Sequence, residues 1–344
     1  MTPTPNTAPS RAIAVVIPCY RSGELALDVI RRIGPEVGWI FVVDDCCPVQ
    51  TGQTVLAHST DPRVTVLFHT ENQGVGGAVI TGYNAAMKTD ASVVVKIDGD
   101  GQMAPERIPQ LCSPILSGQV DYVKGNRFHI AGGVAAMPPL RLIGNVALSF
   151  ITKASSGYWQ LFDPTNGYTA IHTRVLAELD TEKIAKRYFF ESDMLFRLNL
   201  LRAVVSEMPM KAAYDGEPSS LSPVKVIAPF LKGNTRNFFK RVLYRYFVSD
   251  FSLASLELLC AIPLLAFGII YGAEHLLSNR ISGGVASAGT VMASALPIIL
   301  GFQLLLSWLN YDVSSQPTQA LHPQLPPLAD DKRQQEEQRP QAPP

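Results

Sequence analysis

Four runs of β-branched, aliphatic and aromatic residues, each stopped by polar or turn residues, dominate the first half of the chain. Ala12-Ile13-Ala14-Val15-Val16-Ile17, Trp39-Ile40-Phe41-Val42-Val43, Val64-Thr65-Val66-Leu67-Phe68 and Ser92-Val93-Val94-Val95-Lys96-Ile97 are largely continuous rather than alternating. Such runs predict interior strands. Val120-Asp121-Tyr122-Val123 predicts a fifth strand. Between them, Ser22 predicts a cap for a helix running to about Ile33, and Asn72-Gln73-Gly74-Val75-Gly76-Gly77 leads into a helix through about Lys88. Strands alternating with helices predict an α/β domain over residues 12–222. Polar residues collect where the strands end, at Pro18-Cys19-Tyr20, Asp44-Asp45, Asp98-Gly99-Asp100 and Lys124-Gly125-Asn126-Arg127. Open α/β sheets bind ligands at those ends.

The pattern changes in the last third. Leu253 to Leu277 is almost wholly apolar, and Val285 to Leu309 carries no charged residue. About 20 apolar residues span the hydrocarbon core of a bilayer. Two such runs in succession predict a transmembrane hairpin over 253–311, with spans at 253–277 and 285–309. The intervening Ser278–Gly284 loop carries one basic residue. The preceding flank carries Lys232, Arg236, Lys240, Arg241 and Arg245 without an acid. The positive-inside rule then places the α/β domain and both termini in the cytoplasm, on a multi-pass protein of the inner (cytoplasmic) membrane. The 223–252 flank mixes those charges with Phe230, Phe238, Phe239, Tyr244, Tyr246 and Phe247. It predicts an amphipathic helix at the membrane surface, rings in the headgroup layer and Lys/Arg on lipid phosphates. Gly289 and Gly301 in the second span are small residues of the kind that allow close helix packing and homo-oligomerisation through the hairpin. Residues 1–11, which have no signal-peptide core, and the Pro/Gln-rich 312–344 are expected to be disordered.

Composition adds exclusions. Across 344 residues, 29 basic residues match 29 acidic ones, so net charge points to neither nucleic acid nor an acidic partner. Five cysteines without a CxxC pair imply neither a zinc site nor a disulfide framework, and fit a reduced compartment.

The candidate chemistry centres on Asp98-Gly99-Asp100-Gly101-Gln102. Were the chain to stay extended there, positions 98, 100 and 102 would share one side and offer an all-oxygen set suited to Mg²⁺ or Mn²⁺. A metal held by few protein oxygens completes its shell with water and substrate phosphate, so a diphosphate is the natural guest. The plain alternative is a solvated Asp-Gly turn. Gly74-Val75-Gly76-Gly77 lacks the last glycine of a dinucleotide fingerprint, Val79 standing there, and the Gly-Lys-Ser/Thr of a Walker loop. A tight strand-to-helix turn describes it better.

Taken in order, Val16-Ile17-Pro18-Cys19-Tyr20, Val42-Val43-Asp44-Asp45, Asn72-Gln73-Gly74 with Ala78 and Gly82, and Asp98-Gly99-Asp100-Gly101-Gln102 resemble the motifs of family 2 glycosyltransferases with the GT-A fold, a Rossmann-like open mixed sheet. The resemblance covers about residues 12–220. With the Gly-x-Arg after the fifth strand and the C-terminal hairpin, it points to polyprenyl-phosphate glycosyltransferases of the dolichol-phosphate mannose synthase group. It implies that Pro18 and Tyr20 line the nucleotide and that Asp44 or Asp45 bonds base or sugar. It also implies that Asp98, Asp100 and Gln102 hold the metal on the nucleotide-sugar diphosphate. Arg127 matches a phosphate-contacting arginine, an ordinary ion pair being the alternative. Arg141 is a second candidate for the acceptor phosphate. Glu191 matches the family's base position, with Asp193 following, and a helix-capping role is its alternative.

The acceptor decides whether a base is needed. A hydroxyl requires one, whereas a phosphate monoester is already ionised near neutral pH. The reading is an inverting, metal-dependent transfer from a GDP- or UDP-sugar to a dolichyl or undecaprenyl phosphate at the cytoplasmic face. Its rival is transfer to a hydroxyl of a lipid or glycan with Glu191 as base. A scaffold with a dead transferase domain and a membrane-tethered nucleotidyltransferase are further alternatives. Asn166 in Asp163–Tyr168, and Glu217–Leu221 without its lysine (Lys225 standing nearby), depart from the family pattern where sugar and acceptor phosphate would lie.

Overall fold

The computed structural model describes residues 12–128, 139–210 and 223–328. The expected disordered N-terminus, the Glu217–Leu221 stretch, residues 329–344 and the side chains of Arg141 and Lys225 lie outside that description. Two compact units form, one ending at Asn237 and regained from Pro317, the other Phe238–Gln316.

The first unit is built on a seven-stranded sheet, β1 (Ile13–Cys19), β2 (Val37–Asp44), β3 (Val64–Phe68), β4 (Val93–Lys96), β5 (Tyr122–Asn126), β6 (Thr169–His172) and β7 (Val205–Pro209), in the order β3-β2-β1-β4-β6-β5-β7. Only β6 runs antiparallel to its neighbours, so the sheet is mixed. Alternate residues feed two apolar layers. On one face Ile13, Val15 and Ile17 pack with α1 (Leu25–Arg31) and α4 (Ile108–Leu116). On the other, Ala14 and Val16 pack with α3 (Val75–Ala86) and α7 (Phe190–Leu200). Between them in sequence lie α2 (Thr51–His58), α5 (Pro139–Ser156) and α6 (Thr173–Ala177). Gly82 lets α3 lie directly on β1, since a Cβ there would overlap Val16.

Several boundaries move from expectation. The Ser22 cap is absent: α1 starts at Leu25 behind Glu24, after Arg21 and Gly23 have turned with positive φ of 64° and 53°. β1 continues through Pro18, which sits beyond the last β4 partner of β1 (Val16 opposite Lys96), where an absent N–H costs no ladder bond on that side. β5 starts at Tyr122 and runs to Asn126, so the polar ending is itself strand.

The largest correction concerns the tail expected to be disordered from 312. Helix α10 continues to Ser314, and residues 320–325 return to the first unit. Asp121, fully buried just before β5, accepts from Leu321 N (2.8 Å), His322 N (2.8 Å), His322 Nδ1 (2.7 Å) and Val204 N (2.7 Å). Arg174 Nη1 donates to the carbonyls of His322 and Leu325 at 3.3 and 3.2 Å. The His322 ring stacks on His172 with centroids 4.0 Å apart. Leu321 and Leu325 join the α3/α7 layer. Pro/Gln-rich composition suggests disorder because it offers little apolar area. Here one buried carboxylate and two leucines suffice to dock the segment.

That clasp makes stability acid-sensitive. His172 Nδ1 accepts from Arg174 N at 3.1 Å and so caps α6. Burial, then the neighbouring His322 and Arg174, press its pKa down to about 4. Unfolded, the ring titrates near the ordinary ~6.5. Between those values only the unfolded chain binds the proton, so stability is complete above about pH 6.5 and falls toward about pH 4. A fall from about 6.5 to about 4 is worth at most ~3.4 kcal/mol, and less because the partly exposed ring is screened by solvent. The wild-type melting temperature is expected to drop more from pH 7 to pH 5 than that of His172→Asn, which keeps a capping acceptor without a titrating ring. Parallel curves would refute the assignment.

The second unit holds the end of α8 (Pro223–Leu243), a π-helical turn (Tyr244–Val248), α9 (Leu253–Ser282) and α10 (Ala288–Ser314). At 30 and 27 residues, α9 and α10 are long and apolar enough to cross a membrane, and both outrun the spans read from sequence. Gly283 ends α9 with a left-handed φ of 69°. The two helices touch at Gly268 and Gly301, where a Cβ would meet Ser294 O at 2.7 Å and Ala261 O at 3.0 Å. Gly301 is thus occupied inside the helix pair of one chain. Arg241, expected on lipid phosphates, is instead 1 % exposed and pairs with Asp312 at 2.6 and 2.9 Å, with Tyr246 Oη donating to the same carboxylate at 2.7 Å. A guanidinium removed from water needs a bidentate anion.

Candidate active site

The C-terminal ends of β1, β2, β4 and β5 and the start of β6 converge, and Pro18, Tyr20, Asp44, Asp45, Asp98, Asp100 and Arg127 lie at those ends. Pro18 is buried within β1, and Tyr20 stands exposed after it with the Arg21 guanidinium 5.4 Å from its ring centre. Asp44 and Asp45 are both buried and already engaged. Asp44 accepts from Cys47 N and Gly52 N, each at 2.7 Å, and so shapes the turn into α2. Asp45 accepts from Gln73 N and Gly74 N, each at 2.8 Å, and meets His69 Nδ1 at 2.7 Å. The glycine cluster beyond is a packing device. Gly74 takes a φ of 88°, and a Cβ at Gly74 or Gly76 would strike the backbone carbonyls of Lys186 and Ala185. Only bare backbone lets the start of α3 approach the segment before α7 so closely.

The Asp98–Gln102 stretch is a turn at Gly99-Asp100, with Gly101 at φ 78°, and not the extended run that would set 98, 100 and 102 on one side. The β4 ladder closes with Ile97 N donating to Val16 O at 3.1 Å, and the chain turns beyond it. Asp100 Oδ1 accepts from Gln102 N at 3.0 Å, and the Gln102 side chain is exposed. Burial, and next the adjacent Asp98 charge, push the Asp100 carboxyl above its ordinary pKa. Among the described residues no group of three His, Cys, Asp or Glu side chains is set to hold a metal ion. The donors that remain are two carboxylates whose charges oppose each other.

Behind them lies a residue the sequence reading passed over. Lys96, 1 % exposed, places Nζ 2.9 Å from Asp98 Oδ1 and 3.2 Å from Glu191 Oε1. Burial opposes its charge, but the two carboxylates outweigh that and raise the ammonium's pKa. Gly167 closes on this pair, for a Cβ there would meet Lys96 Nζ and Asp98 Oδ2. A second buried lysine, Lys124 on β5, shares Thr169 as register partner with Lys96 and donates to Pro164 O at 2.7 Å. Burial lowers its pKa to about 8 against the pull of Asp163 and Glu191. A lysine inside a strand-forming run was the available signal, because a buried ammonium demands an anion. Its partner, 95 residues away, was not readable.

Arg127 pairs with buried Asp163 through Nε and Nη2 at 2.8 and 2.9 Å, and its side chain stays 29 % exposed. Burial raises the Asp163 carboxyl and the guanidinium more than reverses that, leaving its pKa lowered. Glu207 on β7 accepts from Phe162 N, Asp163 N and Asn126 Nδ2, which pins the same loop. Glu191 opens α7, and its neighbour Asp193 binds Ala185 N (3.0 Å), Arg197 Nε (3.0 Å) and Asn237 Nδ2 (2.9 Å). The structure therefore brings Asp98, Asp100 and Glu191 to one place around Lys96, with Arg127 after β5, one strand beyond β6.

Residues 14–180 match Glycosyl transferase family 2. The chain is 32% identical over 203 residues to the undecaprenyl-phosphate mannosyltransferase of Micrococcus luteus, covering 58% of this chain and 82% of that protein. It is 29% identical over 218 residues to the UDP-N-acetylglucosamine–dolichyl-phosphate N-acetylglucosaminyltransferase of Methanococcus voltae, covering 59% and 86%. The fold is shared with glucosyl-3-phosphoglycerate synthase of Mycobacterium tuberculosis, solved with Mn²⁺ and UDP, at a TM-score of 0.50 and 20% identity over 67% of this chain and 80% of that one. A mixed α/β sheet of GT-A type, acidic residues at its strand ends and these relatives together make the chain a glycosyltransferase of family 2.

Proposed function

We propose that the enzyme moves a sugar from a GDP- or UDP-sugar to a polyprenyl phosphate at the cytoplasmic face of a membrane, with inversion. The observation that carries the choice of acceptor is the Lys96–Glu191 ion pair. The acid in the family's base position is buried and serves as counter-ion to a lysine. A hydroxyl acceptor needs a free base, whereas a phosphate monoester arrives ionised and needs only positioning. The relatives that act on dolichyl and undecaprenyl phosphates support the same reading.

In the mechanism this implies, the exposed Tyr20 and the Asp45 turn border the nucleotide, while Asp98 and Asp100 face its diphosphate. Their mutual repulsion and all-oxygen chemistry fit Mg²⁺ or Mn²⁺, which supplies charge neutralisation for the leaving nucleoside diphosphate. Arg127, locked by Asp163 yet partly exposed, offers a cation to an acceptor phosphate. A phosphate oxygen attacks the anomeric carbon as the bond to the diphosphate breaks, and no protein group takes a proton.

The helices α9 and α10 serve as membrane spans in this reading. The basic residues Lys232, Arg236 and Lys240 ahead of the first span support a cytoplasmic catalytic domain.

The test is nucleoside diphosphate release by full-length protein in detergent with Mn²⁺, across UDP- and GDP-sugars, with and without undecaprenyl phosphate. Release is expected only with the lipid phosphate, and Glu191→Gln is expected to lower it by no more than about 10–100-fold, the scale of an outer-sphere change. Release with a hydroxylic acceptor, abolished in Glu191→Gln, would overturn the reading in favour of Glu191 as base.

A further inference from the structure

We propose that Lys96 is a positioning residue for sugar transfer: its ammonium locks Asp98, on the donor side, to Glu191, at the start of α7, so that the metal-binding carboxylate is set before substrate arrives. The inference rests on Asp98 being a metal ligand, as proposed above.

The geometry begins with strand periodicity. Val94 and Lys96 point to the α3/α7 face of β4, so the lysine is aimed at the helix that bears Glu191. Lys96 Nζ reaches Asp98 Oδ1 at 2.9 Å and Glu191 Oε1 at 3.2 Å. Its stem is immobilised within the sheet beside Thr169, its register partner on β6, and Gly167 seals the charged end. Four carbons of side chain that would otherwise sample many rotamers have one arrangement here.

An apolar residue would fill such a position at less cost, because a buried ion pair contributes little net stability and is costly to break. The placement of this one has a chemical consequence. Asp98 Oδ1 is taken by the ammonium, and Oδ2 remains beside Gly167. When ionised, Asp98, Asp100, Glu191 and Lys96 together carry a net charge of −2, which one divalent cation cancels. Without the lysine, Asp98 and Glu191 lose their common cation, and the Asp98 carboxylate loses the ammonium that fixes its orientation. The same contact gives α7 a direct tie to the donor site. Asp193, two residues on, binds Asn237 of α8, so the tie continues to the helix that precedes the spans.

The experiment uses full-length protein in detergent and compares Lys96→Met, Lys96→Arg, Glu191→Gln and the double variant Lys96→Met/Glu191→Gln. Two quantities are read: Mn²⁺ binding in the presence of nucleoside diphosphate, by electron paramagnetic resonance, and the kinetic split between kcat and the donor KM. Outer-sphere partners of metal ligands typically change affinity or activity by about 10–100-fold. Lys96→Met is expected to weaken Mn²⁺ binding and lower kcat by about tenfold or more, with the donor KM little changed, and Lys96→Arg to recover part of both. The double variant removes the uncompensated Glu191 charge and so keeps the comparison open if Lys96→Met alone does not fold. It is expected to fold and still bind Mn²⁺ weakly. Mn²⁺ binding as tight as wild type in Lys96→Met, or full recovery in the double variant, would overturn the proposal, since Lys96 would then only neutralise Glu191. The Mn²⁺ measurement needs no acceptor, so a wrong acceptor assignment shows as absent lipid-dependent release while the binding comparison still reports on Lys96.

Discussion

Asp100→Asn is expected to abolish sugar transfer while leaving the protein as stable as wild type or more so. In the wild-type chain the Asp100 carboxyl is pushed above its ordinary pKa by burial and then by Asp98, so its ionised form strains the substrate-free fold. An amide of the same shape removes that strain and keeps an oxygen to accept from Gln102 N, now at 3.0 Å. It also removes one of two anionic oxygens available to a divalent ion beside the diphosphate. Losing one preorganised electrostatic partner of a developing charge costs roughly 10²–10³ in rate, about 3–4 kcal/mol. Opposite signs in stability and activity mark a residue kept for chemistry. Thermal unfolding and Mn²⁺-dependent nucleoside diphosphate release are the two measurements. Retention of more than about a tenth of wild-type release would exclude Asp100 from the metal site.

Asp121→Ala should be the most destabilising single change away from the site. Its carboxylate, fully buried, accepts backbone N–H groups of Val204, Leu321 and His322 together with His322 Nδ1. Alanine leaves those donors buried without an acceptor, and each such group costs about 1–3 kcal/mol unless it regains water. The cheapest relief is release of the 320–325 segment, so a loss of about 3–5 kcal/mol should come with new protease cleavage between α10 and Leu325. Asp121→Asn keeps one acceptor oxygen and should fall between. An Asp121→Ala protein that melts like wild type and resists cleavage would show that the clasp is dispensable.

Much of the sheet was legible because β1, β2 and β4 are buried almost throughout, while β3, half-exposed at the sheet edge, still carries a β-branched run. The runs at 13–17, 39–43, 64–68 and 93–97 need no partner to be recognised, since continuous apolar β-branched sequence has few other uses. β6 and β7 were not seen. Thr169-Ala170-Ile171-His172 is too short and mixed to announce a strand, and becomes one because β4 and β5 flank it on both sides. The acids of the site were legible as a set through their position after strands. Their arrangement was not, since the turn at Gly99-Asp100 replaces the extended geometry that spacing alone suggested. The ion pair weighed as an alternative for Arg127 is present. Only the fold showed Asp163 as its partner, 36 residues on.

By itself, the sequence determined the α/β class, the order of the motifs, the two apolar helices and the family, because each is written in local runs and spacings. Tertiary structure alone decided which charges are free to act. Lys96 with Glu191, Arg241 with Asp312, and Asp121 with the returning 320–325 segment join residues 95, 71 and about 200 positions apart. A buried charge must find its counterpart wherever the chain brings one, and no local pattern records that choice.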